Sequence, residues 1–186
     1  MRVIAGEFRR RLLQSLPGLE TRPTPDRLRE ALFNVLQGRL AGAVFVDAYA
    51  GTGAVGIEAL SRGAAPVVFI ERSKAAVRVV QDNLATLKVM ERARVIHGSV
   101  GTYLAAQKGE IVFLDPPYEQ ETEYDKAFAA LQNTPPALVI AQHASRKELA
   151  KVYGVLHRVR VLRQGDNSLS FYQPLGEEPV ETDGLE

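Results

Sequence analysis

The tetrapeptide Asp115-Pro116-Pro117-Tyr118 closes a short apolar run, Ile111-Val112-Phe113-Leu114. An acid, two prolines and an aromatic at the carboxyl end of a strand can hold a planar exocyclic amine. The Asp115 carboxylate and the Pro116 carbonyl each accept one N–H of an –NH2 group, which draws the nitrogen lone pair out of conjugation and aims it at an electrophile. Pro117 has a fixed φ and no donor, so the turn is stiff. The Tyr118 ring offers a stacking surface for a nucleobase. The simpler alternative is a strand followed by a proline turn, with Asp115 bonded locally to backbone.

A second constellation lies upstream. Asp47-Ala48-Tyr49-Ala50-Gly51-Thr52-Gly53-Ala54-Val55-Gly56 follows the apolar Val44-Phe45-Val46 and leads into a helical pattern through Ile57, Leu60 and Ser61. Strand, glycine turn and helix bring backbone N–H groups close to a nucleotide-like ligand. The spacing of Gly51, Gly53 and Gly56 is by itself a weak signal, shared with nicotinamide sites. Asp47 discriminates: a carboxylate there repels a pyrophosphate and suits a cofactor with a cationic amino group, such as S-adenosylmethionine. Glu71 ends the next apolar run, 20 residues after Gly51, where a ribose diol can donate to it. Glu71 supports a nucleoside without choosing among cofactors.

The elements that must position these groups alternate along the chain. Thr24-Pro25-Asp26 reads as an N-cap, a proline in the first turn and an early acid. Leu28, Leu32, Val35 and Leu36 then share one helix face ending near Gly38. Strands at 44–48, 66–71, 93–97, 110–115 and 137–142 are separated by helices at 54–62, 73–88, 100–107 and 124–132. A helix at 145–151 and two strands, 154–163 and 167–173, complete the pattern. Such alternation implies an α/β fold with a parallel sheet covered on both faces. Gly165-Asp166 between the last two strands implies an antiparallel hairpin. Asp47, Glu71, Ser99 and Asp115 would then fall on one rim, at the carboxyl ends of successive strands. A cofactor cradled by the first two strands would face an amine held by the fourth, a layout suited to methyl transfer.

Composition and charge narrow the classes. The chain has 186 residues and no cysteine, which allows one full core and excludes disulfides and thiolate metal sites. His97, His143 and His157 lack ligand spacing, and no metal is expected. No apolar run reaches the length of a membrane span, and the start lacks a signal peptide's apolar core, so a cytoplasmic location is the default expectation. Net charge is +1, but the last ten residues hold five acids and no base. Seven arginines lie within the first 29 residues, including the run Arg9-Arg10-Arg11 and Arg22. Arginine suits planar contacts with phosphates and bases, although a solvated charged surface explains any one of them. Residues 1–20 are expected to form a basic hairpin or extended arm with its turn at Pro17-Gly18. Residues 1–175 are expected to form one domain, followed by an acidic, disordered tail at 176–186.

Taken together, Asp47–Gly56, Asp115–Tyr118 and the run from Arg22 to Asn34 (RPTPDRLREALFN) resemble the bacterial 16S ribosomal RNA guanine-N2 methyltransferases of the RsmD type. Arg2–Gly6, Leu60–Ala64 and Gly165–Tyr172 fit the same pattern, so the resemblance covers residues 1–173. It implies a class I S-adenosylmethionine-dependent methyltransferase fold, Rossmann-like, with a seven-stranded, mostly parallel sheet. It also implies transfer to the exocyclic N2 of a guanine of the position 966 class, in 16S RNA or the assembling 30S subunit, by a monomer. Carried onto this chain, Asp47, Gly51 and Gly53 line the methionine end, Glu71 the ribose and Ser99 the adenine, with Tyr49 and Thr24 completing the cofactor contacts. Asp115, Pro116, Pro117 and Tyr118 hold the guanine; Arg9, Arg10, Arg11 and Arg22 meet RNA. Ser99 stands where many relatives carry Asp or Asn, and Gln142 where Glu is expected; Gln142 receives no role. Three other readings remain: a nicotinamide-dependent oxidoreductase, a methyltransferase of DNA adenine or protein glutamine, and a non-catalytic RNA-binding domain.

Overall fold

The structure, a computed structural model, describes residues 1–16, 26–117 and 122–176. Helix α1 (Asp26–Val35) precedes an alternating series: β1 (Phe45–Ala48), α2 (Ala54–Ser61), β2 (Val67–Glu71), α3 (Lys74–Leu87), β3 (Ala93–His97), α4 (Val100–Tyr103) and β4 (Ile111–Leu114). Then come α5 (Thr122–Ala130), β5 (Leu138–Ala144), β6 (Val152–Tyr153), β7 (Leu156–Gln164) and β8 (Asn167–Pro174). One sheet runs in the order β3-β2-β1-β4-β5-β8-β7-β6. The first five are parallel and the last three antiparallel. Strand order reverses between β1 and β4, where a parallel sheet opens a crevice at its carboxyl edge. No helix among the described residues is long and apolar enough to cross a membrane.

Alternation along the strands sends neighbouring side chains into two cores. Phe45, Phe69, Phe113 and Phe171 face Leu32, Ile57 and Leu84, so α1, α2 and α3 cover that side. Val46, Val112, Leu114 and Tyr172 face Leu104, Tyr124 and Phe128 on the other. Each such aromatic contributes about 1.5–3 kcal/mol by leaving water. Central strands β1 and β4 are buried at every residue, as both-side cover requires. In α3, Ser73 caps the N-terminus and Lys88 ends the helix in the left-handed region.

Residues 1–13 fold back as a hairpin, with Arg2 opposite Leu12 and the Val3 N–H donating to the Arg11 carbonyl at 3.0 Å. The hairpin lies on α2. Glu58, fully buried, accepts the N–H groups of Ile4 (2.8 Å) and Ala5 (3.0 Å) and the Arg62 Nε–H (2.8 Å). Ser61 accepts the Phe8 N–H at 2.9 Å. The buried Arg29 of α1 donates to the Arg2 carbonyl at 2.7 Å and to Asp26 at 3.0 Å. The arm is thus a docked hairpin that reverses around residues 6–10; the expected turn at Pro17-Gly18 lies outside the described residues.

Two sequence expectations change. The segment 145–151 is a turn and extended chain, not a helix. Its carbonyls are taken by distant side chains instead of its own N–H groups: Leu149 O accepts from Arg158 Nη1 (2.9 Å) and Ala150 O from the Tyr172 hydroxyl (2.9 Å). The sheet has eight strands among the described residues, because the expected strand 154–163 begins at Leu156 and pairs back onto two-residue β6. The remaining strands and helices fall within two residues of their expected limits, except that α1 ends at Val35, three residues short of Gly38, and α4 runs on into a 3-10 turn at Leu104–Ala106.

Candidate active site

Asp47, Glu71, Ser99 and Asp115 stand at or just past the ends of β1, β2, β3 and β4, which are neighbours in the sheet. Registers Ala48↔Ile70 and Ala48↔Leu114 set Glu71 and Asp115 level with Tyr49 on either side of β1. The expected rim therefore exists as one edge.

Asp47 is 2% exposed, and its Oδ2 accepts the Gly56 N–H at 2.8 Å. A strand carboxylate thereby meets the first turn of α2, where unpaired N–H groups favour negative charge. Burial drives its pKa well above the ordinary carboxylate range; the Gly56 N–H opposes this, while the charges of Asp115 and Glu71 add to it. The Asp115 carboxyl is pushed up to about 7 by burial. Its neighbour Pro116 is buried and Pro117 exposed.

Glu71 braces the glycine turn from the side. Its Oε2 accepts the Gly51 N–H at 2.8 Å and its Oε1 the Ser73 N–H at 2.7 Å. A carboxylate has about four acceptor sites, so these two bonds do not exhaust its accepting capacity. Gly51 and Gly53 carry φ of +56° and +79°, conformations that strain any residue with a Cβ. A Cβ on Gly51 would meet nothing within 4 Å, which marks open space over the turn. Gly56 is needed for another reason: the Phe69 ring of β2 occupies the place of its missing side chain.

Tyr49 also lies in the left-handed region, at φ +68°, an unusual state for a bulky residue at the end of a strand. Its hydroxyl donates to Glu123 Oε2 at 3.1 Å, tying β1 to α5. Burial, with the Glu123 charge, raises its pKa. Ser99 is exposed, and its Oγ pairs with Thr102 Oγ1 at 2.7 Å at the start of α4. Thr24, Arg22 and Tyr118 lie outside the described residues, as do residues 177–186 of the acidic tail.

Arg9, Arg10 and Arg11 are all exposed on the arm but face two sides. Arg9 and Arg10 join Arg2, Asp26 and Glu30 around a cleft of about 270 Å³. Arg11 lines a second cleft of about 280 Å³ with Thr86 and Lys88 of the α3 end.

Sequence reasoning missed the residues that hold the arm and the turn in place. Glu58, Ser61 and Asn83 act across 53 to 69 positions of chain. The available hint was a carboxylate at position 58 inside an otherwise apolar helix, since a buried acid needs donors. Gln142 is buried, and its backbone carbonyl accepts the Tyr124 hydroxyl at 2.6 Å.

Comparison with known proteins agrees with this geometry. Residues 1–173 match the family model described as conserved hypothetical protein 95. "Putative rRNA methyltransferase YlbH" of Bacillus subtilis (strain 168) is 34% identical over 186 residues, spanning 95% of this chain and 100% of that protein. "Ribosomal RNA small subunit methyltransferase D" of Escherichia coli (strain K12) is 46% identical over 125 residues, 64% of this chain and 61% of that protein. The solved structure "Putative methyltransferase yhhF from Escherichia coli" superposes with a TM-score of 0.82 at 34% identity, covering 95% of this chain and 99% of that one. With the sheet order and the glycine turn of a class I methyltransferase, the chain belongs to this family, that of the RsmD-type methyltransferases.

Proposed function

We propose that the chain transfers a methyl group from S-adenosylmethionine to the exocyclic N2 of one guanine, of the position 966 class, in 16S ribosomal RNA. One electrostatic observation carries the choice of donor: Asp47, Glu71 and Asp115 lie close enough for the latter pair to raise the pKa of the first. A ligand with ammonium and sulfonium charges relieves that repulsion, whereas a pyrophosphate worsens it. The open space over Gly51 leaves room for such a ligand. When bound, S-adenosylmethionine supplies a methyl group already activated by its sulfonium leaving group.

The residues of the chain then have to align and to accept protons. Asp47 and Glu71 fix the glycine turn, and Glu71 keeps acceptor sites for the ribose. The Asp115 carboxylate and the Pro116 carbonyl take one N–H each of the guanine amine, and Tyr118 stacks on the base. The role of Tyr118 rests on the sequence. Guanine N2 is weakly basic, so alignment matters more than proton removal beforehand. Asp115, whose carboxyl burial pushes up to about 7, becomes more fully ionised beside a cation and takes up the proton released after transfer. The base must leave its stack, at a cost of a few kcal/mol, of which stacking on Tyr118 returns about 1–3 kcal/mol. Exposed Arg9, Arg10 and Arg11, with Arg22, supply attraction to phosphates that does not depend on sequence. The names of YlbH and of methyltransferase D support ribosomal RNA as the substrate class.

The test is transfer of a labelled methyl group to small subunits that lack the modification. Asp115→Ala should lower transfer by about 100-fold or more while leaving S-adenosylhomocysteine affinity nearly unchanged. A large loss of that affinity would remove Asp115 from its role of orienting the amine.

A further inference from the structure

The side-chain amide of Asn83, on α3, is 2% exposed and bonds to two segments far apart in sequence. Its Oδ1 accepts the Gln14 N–H at 2.7 Å. Its Nδ2 donates to the Gln14 carbonyl at 3.2 Å and to the Thr52 carbonyl at 3.3 Å. Gln14 follows the arginine-bearing hairpin, and Thr52 sits between the two glycines of the turn. Partner types fix the amide orientation: an N–H needs the oxygen, carbonyls need the nitrogen, and a flipped amide loses all three bonds. The group is planar, so a rotation that follows one partner strains the bonds to the other. At this point one buried amide bonds to both the arm and the glycine turn.

We propose that Asn83 is a positioning residue that links RNA on the arm to the cofactor on the glycine turn. The inference rests on the functional reading above, which assigns RNA to the arm and S-adenosylmethionine to the turn. RNA that orders the arm fixes Gln14 and, through Asn83, the Thr52 carbonyl; a ligand that orders the turn acts in the reverse direction. Thermodynamic linkage makes the two effects equal. Glu58 and Ser61 hold the hairpin to α2 by bonds that do not involve Asn83, so the arm stays docked when Asn83 is changed.

Calorimetry on the full chain tests this, with S-adenosylhomocysteine titrated alone and in the presence of small subunits that lack the modification. In the wild type each ligand should tighten the other by about five-fold or more. Asn83→Ala should still bind both, with the coupling reduced to within about two-fold of none. Asn83→Asp keeps the acceptor for Gln14 but loses both donors, and should lose the coupling as well. Val79→Ala, a truncation on the same helix that touches none of these bonds, should lower stability and keep the coupling. A purely structural Asn83 would lower the melting temperature of Asn83→Ala and leave the coupling intact, which overturns the inference. So does a wild type that binds both ligands without mutual effect. A wild type that fails to bind either ligand overturns the functional reading, and the inference falls with it.

Discussion

The Asp47 carboxylate of β1 accepts the Gly56 N–H of α2 at 2.8 Å, so the strand and the helix on either side of the glycine turn are clamped by one buried bond. Asp47→Ala leaves that N–H unpaired and should cost about 1–2 kcal/mol in urea denaturation. Asp47→Asn keeps an acceptor and should lose less stability, yet it removes negative charge beside the proposed cationic ligand. Calorimetry should then show S-adenosylmethionine affinity falling by about ten-fold, a one-unit change in favourable charge interaction. Unchanged affinity in Asp47→Asn would limit Asp47 to holding the turn.

Asp115 makes stability depend on pH with a defined sign. Its pKa rises from 3.8 in the ordinary state to about 7 in the fold, so the folded chain holds this proton more tightly than the unfolded chain. The resulting stability is fully present below about pH 4 and lost as pH rises through about 7. Partial contact with water lowers its size to about 1–2 kcal/mol. Asp115→Asn should therefore match the wild type near pH 4 and exceed it at pH 8 when melting curves of the ligand-free chain are compared. Equal stabilities at both pH values would mean that Asp115 ionises as an ordinary carboxyl. The same ionisation should make kcat/KM climb with pH and level off above about pH 7.

Gly51 and Gly56 should fail in different ways. Gly51→Ala strains a backbone at φ +56° for about 1 kcal/mol, and its methyl projects into open space over the turn. Gly56→Ala drives its methyl into the Phe69 ring, so strand and helix must part, for about 1–3 kcal/mol. Ligand affinity should suffer more than stability in the first variant, and stability more than affinity in the second. Melting curves with and without S-adenosylhomocysteine separate the two.

Sequence legibility followed the range of the interactions involved. β1, β2 and β4 were legible to within one residue, because a parallel strand covered on both faces is a continuous apolar run with its own boundaries. β3, an edge strand with only Ile96 buried, was nonetheless legible to the residue. The crevice was legible because Asp47, Glu71 and Asp115 each end such a run. The segment 145–151 misled because its local pattern suits a helix, yet a helix of that length needs tertiary packing that favours it. Here packing favours an extended path, with Leu149 buried and carbonyls held by Arg158 and Tyr172. The Tyr49–Glu123 bond spans 74 residues and has no local signature. Two-residue β6 is shorter than any alternation can reveal, although Gly154 just after it signals a reversal.

The central claim, transfer to guanine N2 in 16S RNA, is tested most directly in cells. Nucleosides from 16S RNA of strains with and without the gene are compared by mass spectrometry. The account predicts that one N2-methylguanosine disappears without the gene and returns when the wild-type gene, but not Asp115→Ala, is restored. Loss of an N6-methyladenine instead, or an unchanged set of modified nucleosides, would contradict it.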